Sequence, residues 1–277
     1  MKIKSLIIRV LVGIPLIALF VSVLFFQNWL LKSVITAVMI ISQIEIVRAA
    51  KANVPNLNQY VPIIAVVALA PIFYFFGYLY VMLLYAVSIF WLIVESVAVK
   101  KRDLNSLLMG IFTMLYPSVF FAFFFAIAMT DDGGLRTLMI LLAYLGAMVT
   151  DTLAYFVGSK FGKHKLCPEI SPKKSVEGAI AGYVFGFISI LIIGLFFQNL
   201  IKTDIGLLNF IILGLILPAL VQVGDLFASL VKRHFGIKDF SNIFPGHGGV
   251  LDRLDSGTFV CPVIFLYFTL IYGSLLL

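Results

Sequence analysis

The chain has 277 residues, of which 62% are hydrophobic and 12% charged, and its formal net charge is +7. A soluble domain carries about 25% charged residues, so this composition excludes a soluble globular protein. Two cysteines, Cys167 in a polar stretch and Cys261 in an apolar one, exclude a disulfide-built scaffold.

A bilayer crossing takes roughly 20 mainly apolar residues. Runs of that kind predict nine spans, at 5–26, 29–47, 60–76, 78–98, 105–129, 135–157, 177–198, 206–231 and 257–276. The expected fold class is therefore all-α, a polytopic integral membrane protein with about nine transmembrane helices. The first run follows a basic start, as a signal peptide does. It is too long for such a peptide's apolar region and no small-x-small site follows, so it reads as a membrane helix. The third and fourth runs touch at "FFGYLY", where a re-entrant pair is the alternative. Glu45 and Glu95 fall near span ends and read as interfacial. With nine spans, every Lys and Arg except Lys32, Arg136 and Lys202 falls on the side of the N-terminus. By the positive-inside rule that side is cytoplasmic.

Residues 1–130 read as scaffold helices, with polarity confined to short connections. Residues 131–277 carry two long polar connections, 158–176 and 232–256, and acids on the helices that enter them. The sixth span places Asp151, Tyr155, Gly158 and Gly162 along one stripe. Glycines there permit close approach of another helix or of a ligand. The stretch "SPKKSVEG" predicts a helix start, with Ser175 as cap and Glu177 in the first turn. Lys173 and Lys174 before it suggest an anion seat or a contact with lipid headgroups.

The eighth span ends "VQVGDLFASLVKRHFG", with Gln222, Asp225, Ser229, Lys232 and Arg233 on one face. An ionisable group inside a membrane helix points to function by default; a structural ion pair is the alternative. The connection beyond it, "KDFSNIFPGHGGVLDRLDS", sets Gly246, Gly248 and Gly249 around His247, a turn whose N–H groups suit an anion. Asp252 and Asp255 follow, three apart, sharing a face if a helix begins there. Lys232, Arg233, Lys238 and Arg253 are balanced by Asp225, Asp239, Asp252 and Asp255. A site for a bare anion has no use for that many carboxylates unless they hold a cation. Oxygen donors of this kind suit Mg²⁺ shared with phosphates, and the three scattered histidines argue against zinc.

The segment Ser229–Ser256 resembles the signature of phosphatidate cytidylyltransferases, also called CDP-diacylglycerol synthases. Its fixed positions are met by Ser229, Lys232, Arg233, Lys238, Asp239, Pro245, His247, Gly248, Gly249, Asp252, Arg253 and Asp255. The stretch "DTLAYFVGSKFGKHKL" through "SPKKSVEG" is similar to a second block of that family. The resemblance implies Mg²⁺-dependent attack of the phosphatidate phosphate on the α-phosphate of CTP, giving CDP-diacylglycerol and pyrophosphate. It implies a site facing the cytoplasm at the membrane surface, and the compactness of the chain points to a multi-pass protein of a cell inner membrane. Carried onto this chain, it assigns Asp225, Asp252 and Asp255 to Mg²⁺, with room for a second cation. Asp225, Lys232, Asp252 and His247 become the catalytic set. Ser229, Arg233, Lys238, Arg253, Asp151, Ser171, Lys173 and Lys174 become substrate-binding residues. The implied partners are CTP, phosphatidate from the inner leaflet and membrane lipids, with no nucleic acid; a homodimer stays open. An ion-coupled transporter is the rival reading, but transporters commonly show internal repeats and none is visible here.

Overall fold

The structure, a computed structural model, describes the backbone of residues 2–100, 103–203 and 205–273, with the side chains of all but 2–10, 27 and 28. The side chains of Lys2, Lys4, Arg9, Lys101 and Arg102 and residues 274–276 of the ninth expected span lie outside the described residues. Helices dominate because backbone N–H and C=O groups in hydrocarbon must be paired within the chain itself.

Among the described residues seven helical stretches are long and apolar enough to cross a bilayer: Trp29–Asn53, Tyr78–Ala98, Leu104–Met129, Gly133–Phe161, Val176–Ile201, Leu207–His234 and Leu251–Tyr272. Leu11–Phe26 and Tyr60–Phe76 are shorter apolar helices. The nine expected runs thus separate into seven full-length spans and two short ones. The first two runs belong to one helix, α1 (Lys2–Asn53, 52 residues), about 78 Å long at 1.5 Å per residue. Gln27 and Asn28 lower the hydropathy between them but bring no proline or glycine to stop the helix.

The runs meeting at "FFGYLY" form two helices, α2 (Tyr60–Phe76) and α3 (Tyr78–Ala98). The single residue between them, Gly77, has φ 84°, a conformation that needs a residue without Cβ. The 105–129 run becomes α4 (Leu104–Leu115) and α5 (Ser118–Met129). Pro117 lacks the N–H that would continue α4 and disfavours helix at the residue before it. Caps fix other starts. Asp103 accepts from the Ser106 N–H at α4. Asp132 accepts from the Gly134 and Leu135 N–H groups at α6 (Gly133–Phe161).

The chain divides into two compact units. The first comprises residues 1–125 and 234–253. In it α2 packs on α1, α3 and α4, and α4 also meets α1 and α3. Ala65, Leu92 and Met114 form a buried cluster there, and the Gln43 amide donates to the Thr113 carbonyl at 2.5 Å. The second unit comprises residues 126–233 and 254–277. It holds α6, α7 (Val176–Ile201), α8 (Leu207–His234) and most of α9 (Leu251–Tyr272). The segment 234–253, in the C-terminal half of the sequence, therefore folds with the N-terminal helices.

Helix α6 outlasts its apolar run to end at Phe161, and the expected loop behind it contains a small hairpin. β1 (Lys165–Cys167) and β2 (Ser171–Ser175) pair antiparallel, Lys165 with Ser175 and Cys167 with Ser171. With an isolated bridge between Phe244 and Gly248, these two strands are the β-structure among the described residues, and the all-α class stands. Ser175 caps α7 as the sequence predicts, its Oγ accepting from the Gly178 N–H at 3.2 Å. Glu177 closes the other side, its carboxylate accepting from the His164 backbone N–H and lying 2.7 Å from His164 Nδ1.

Helices α6 and α7 approach along a spine of small residues. A Cβ on Gly178 would fall 2.5 Å from the Ala154 carbonyl oxygen and 2.9 Å from the Gly158 Cα. One on Gly182 would fall 2.8 Å from the Thr150 carbonyl oxygen. This is the small-xxx-small packing of membrane helices, and it settles Gly158 as a packing residue. Gly178→Ala should destabilise the protein by about 1–3 kcal/mol through overpacking against backbone that has nowhere to move. Thermal unfolding in detergent reads the effect. Ile180→Ala, on a side chain 61% exposed, should leave the midpoint unchanged.

Candidate active site

In the second unit three helices and the hairpin bring acids and bases together. Asp225 of α8 pairs with Lys174 of β2, Nζ to Oδ2 2.5 Å, with both side chains about a quarter exposed. Asp151 of α6 accepts from the Ser256 hydroxyl of α9 at 2.9 Å. Lys232 of α8 lies 3.9 Å from Asp255 of α9, and both are nearly buried. Asp225 stands close enough to repel both Asp151 and Asp255. Three carboxylates share this region, and Lys174 and Lys232 relieve their mutual repulsion.

The close α6–α7 spine sets Asp151 beside the hairpin. Gln222 ties α8 to α7 by donating to the Ala179 carbonyl at 3.0 Å, so this part of the expected stripe is a helix contact. One turn on, the Asp225 carboxylate meets the hairpin. Arg233 donates from Nε to the Ile170 carbonyl at 3.3 Å, fastening the hairpin turn from the end of the same helix. Ser229 is half-buried, Ser171 half-buried and Lys173 exposed. Both ion pairs join different elements, Lys174 of β2 to Asp225 of α8 and Lys232 of α8 to Asp255 of α9.

In the first unit the segment 239–253 is folded tightly on its own donors. Pro245 and Gly246 occupy the centre of a turn closed by His247 N–H to the Phe244 carbonyl at 2.8 Å. Gly246 has φ 77°, which with proline before it is the type II arrangement. Gly248 follows at φ 85° and exchanges two hydrogen bonds with Phe244. Asp252 Oδ2 accepts from the Phe240 N–H at 2.8 Å and the Gly249 N–H at 2.9 Å. Glu45 of α1 accepts from the Val250 N–H at 2.9 Å and the Leu251 N–H at 2.8 Å. The Ser241 hydroxyl donates to the same carboxylate at 2.5 Å.

Two sequence expectations change here. The glycine turn does not offer its amides to an anion, since every N–H from His247 to Leu251 is taken by protein oxygen. The side chains of Lys238 and Arg253 are exposed on this segment. Likewise two amides at the start of α7 are occupied, Val176 N–H by the His164 carbonyl and Gly178 N–H by Ser175, which narrows the anion seat expected behind Lys173 and Lys174. The helix expected at Asp252 and Asp255 does begin, at Leu251, and sets the two acids one turn apart. His247 is half-buried, and its Nδ1 has no hydrogen-bond partner among the described residues.

Glu45 is the residue that sequence reading misplaces. It is 3% exposed, not interfacial, and its partners lie some 200 positions along the chain. A carboxylate in the apolar run "IISQIEIV" was the available signal. Ser256 was missed as well, being one hydroxyl among many.

Apolar helices long enough to cross a bilayer, with clustered carboxylates and lysines at their ends, define a polytopic membrane protein built around a charged site. The chain belongs to the cytidylyltransferase family, whose family model matches residues 7–271. It is similar to a phosphatidate cytidylyltransferase of Aquifex aeolicus, 38% identical over 169 residues, covering 61% of this chain and 60% of that protein. It is 43% identical over 156 residues to one of Bacillus subtilis, covering 56% of this chain and 55% of that protein. A third, of Staphylococcus saprophyticus, is 48% identical over 125 residues, covering 45% of this chain and 46% of that protein. The chain thus spans about half to three fifths of the length of these curated relatives.

Proposed function

We propose that the protein transfers a cytidylyl group from CTP to phosphatidate, releasing pyrophosphate, at the cytoplasmic face of the membrane in which it sits. The observation that carries this reading is the meeting of Asp151, Asp225 and Asp255 with Lys174 and Lys232 in an otherwise apolar helix set. The names of the relatives support the same reaction. The crowding of basic residues toward one side supports the cytoplasmic orientation.

The reaction needs no protein nucleophile. An oxygen of the lipid phosphate attacks the α-phosphorus of CTP, the bond to the β-phosphate oxygen breaks, and the electron pair leaves with pyrophosphate. Bringing two polyanions together is then mostly positioning and charge neutralisation. Lys173, Lys174, Lys232 and Arg233 supply positive charge in the second unit; Lys238 and Arg253 are exposed basic residues of the first. His247 offers a ring nitrogen to a phosphate oxygen. Ser229, Ser171 and Asp151 line the approach to the α8 stripe.

The donor set suits a divalent cation. Among the described residues no three His, Cys, Asp or Glu side chains converge into a complete cage. Mg²⁺ asks for only one or two carboxylates and takes its remaining oxygens from water and phosphate. Asp225 already holds one cation, the Lys174 ammonium, at 2.5 Å, and its neighbours are carboxylates. Asp225 and Asp255 would hold Mg²⁺, with Asp252 one turn earlier on α9. When bound, the ion would neutralise phosphate charge, and the Lys174 ammonium beside Asp225 would add a positive charge for a substrate phosphate.

Purified protein in detergent, given CTP and phosphatidate, should release pyrophosphate with Mg²⁺ and fall to background once the metal is chelated. Detergent provides no sealed compartment, so this assay also separates the enzyme from a transporter. Absence of CDP-diacylglycerol at any Mg²⁺ concentration rejects the proposal.

A further inference from the structure

We infer that Glu45, which lies outside every segment carrying the expected site residues, is a positioning residue for the loop 239–253 and for Asp252; as a catalytic claim this rests on the function proposed above. The Glu45 carboxylate is 3% exposed and accepts three hydrogen bonds, from the Ser241 hydroxyl and the Val250 and Leu251 amides. Two of these donors are amides at the start of α9, which no turn of that helix can satisfy. A carboxylate there gains from charge-assisted bonds and from the positive end of the helix. Asp252 takes the next amide back, Gly249 N–H, together with Phe240 N–H. Glu45 and Asp252 therefore share three consecutive amides between them, and a shift of one moves the other.

Gly249 reports how tight the grip is. It lacks the positive φ found at Gly246 and Gly248, so its backbone does not call for glycine. A Cβ there would lie 2.5 Å from Glu45 Oε1 and 2.8 Å from Oε2. The residue is glycine because Glu45 occupies the space of a side chain.

The test uses the full chain in detergent, with turnover of CTP and phosphatidate scaled to the folded fraction and with hydrogen exchange across residues 239–255. Glu45→Gln replaces one acceptor oxygen by a donor that must face N–H or O–H groups. It should speed exchange at Gly249, Val250 and Leu251, leave that of α6 and α7 unchanged, and lower turnover about 100-fold, the scale of an ångström-level misplacement. Gly249→Ala should act the same way by pushing Glu45 aside. Glu45→Asp is shorter by one methylene, so the double variant E45D/G249A has room for the new methyl group and should regain at least about tenfold over G249A. Rescue of this kind requires direct contact, and a general loss of stability would not produce it. If E45Q does not fold, the G249A and E45D/G249A pair decides alone. Wild-type turnover in folded E45Q, or a double variant no better than G249A, overturns the inference. An inactive wild-type protein with the exchange pattern as described rejects the proposed reaction and leaves the clamp standing.

Discussion

Asp225→Asn is expected to lower turnover by roughly 10³-fold, the scale seen when a preorganised electrostatic group is lost from an active site, while barely changing the melting temperature. The two effects separate for a physical reason. Asp225 and Lys174 are each about a quarter exposed, and an ion pair of that kind is worth about 0–1 kcal/mol. The substitution also removes repulsion with Asp151 and Asp255, which offsets part of the lost pairing. Stability therefore changes little. For the proposed reaction, the neutral amide would hold a divalent cation far more weakly than a carboxylate, and Lys174 loses its charged partner. Pyrophosphate release and a melting curve on the same preparation check both halves. An Asp225→Asn variant with normal turnover sinks the metal assignment, and one that melts far below wild type makes Asp225 a structural residue.

How much of this was legible in the sequence depends on distance along the chain. Hydropathy placed most of the helices, because the bilayer requirement is local and each span answers it by itself. It divided α1 at Gln27 and Asn28, since hydropathy registers polarity and a helix registers only what breaks hydrogen bonds. The hairpin escaped because its strands are three and five residues long and the second reads "SPKKS", with none of the β-branched alternation that marks a strand. Stripe reasoning set Asp225 and Lys232 on one face of α8, since the 3.6-residue period fixes which side chains share a face. It could not name Lys174 as a partner of Asp225 or Asp255 as a partner of Lys232, as partner choice depends on tertiary packing. The turn around His247 reads in the sequence as backbone whose N–H groups suit an anion. Phe244 and Asp252 take its first amides, while those of Val250 and Leu251 go to Glu45, 205 and 206 positions earlier, and no local pattern carries that information.

Lys232→Met should destabilise the protein by about 3–5 kcal/mol, because it strands a buried carboxylate. The Lys232 and Asp255 side chains are 11% and 9% exposed and 3.9 Å apart. Neither charge has enough water to replace its partner, which sets this pair apart from Lys174–Asp225. Activity should fall as well, and a single variant cannot say whether the cause is a collapsed site or a missing cation. The double variant K232M/D255L settles that. Replacing a whole buried pair with apolar side chains is neutral or stabilising in other folds, so the melting temperature should return to near wild type. Turnover should stay at background, since the site proposed for two polyanions has then lost a lysine and a carboxylate. If stability and turnover return together, the pair only holds α8 to α9, and phosphate binding passes to Lys174 and Arg233. If stability returns alone, Lys232 and Asp255 act on the substrate, and the burial that makes them costly to separate keeps their charge free of competing water.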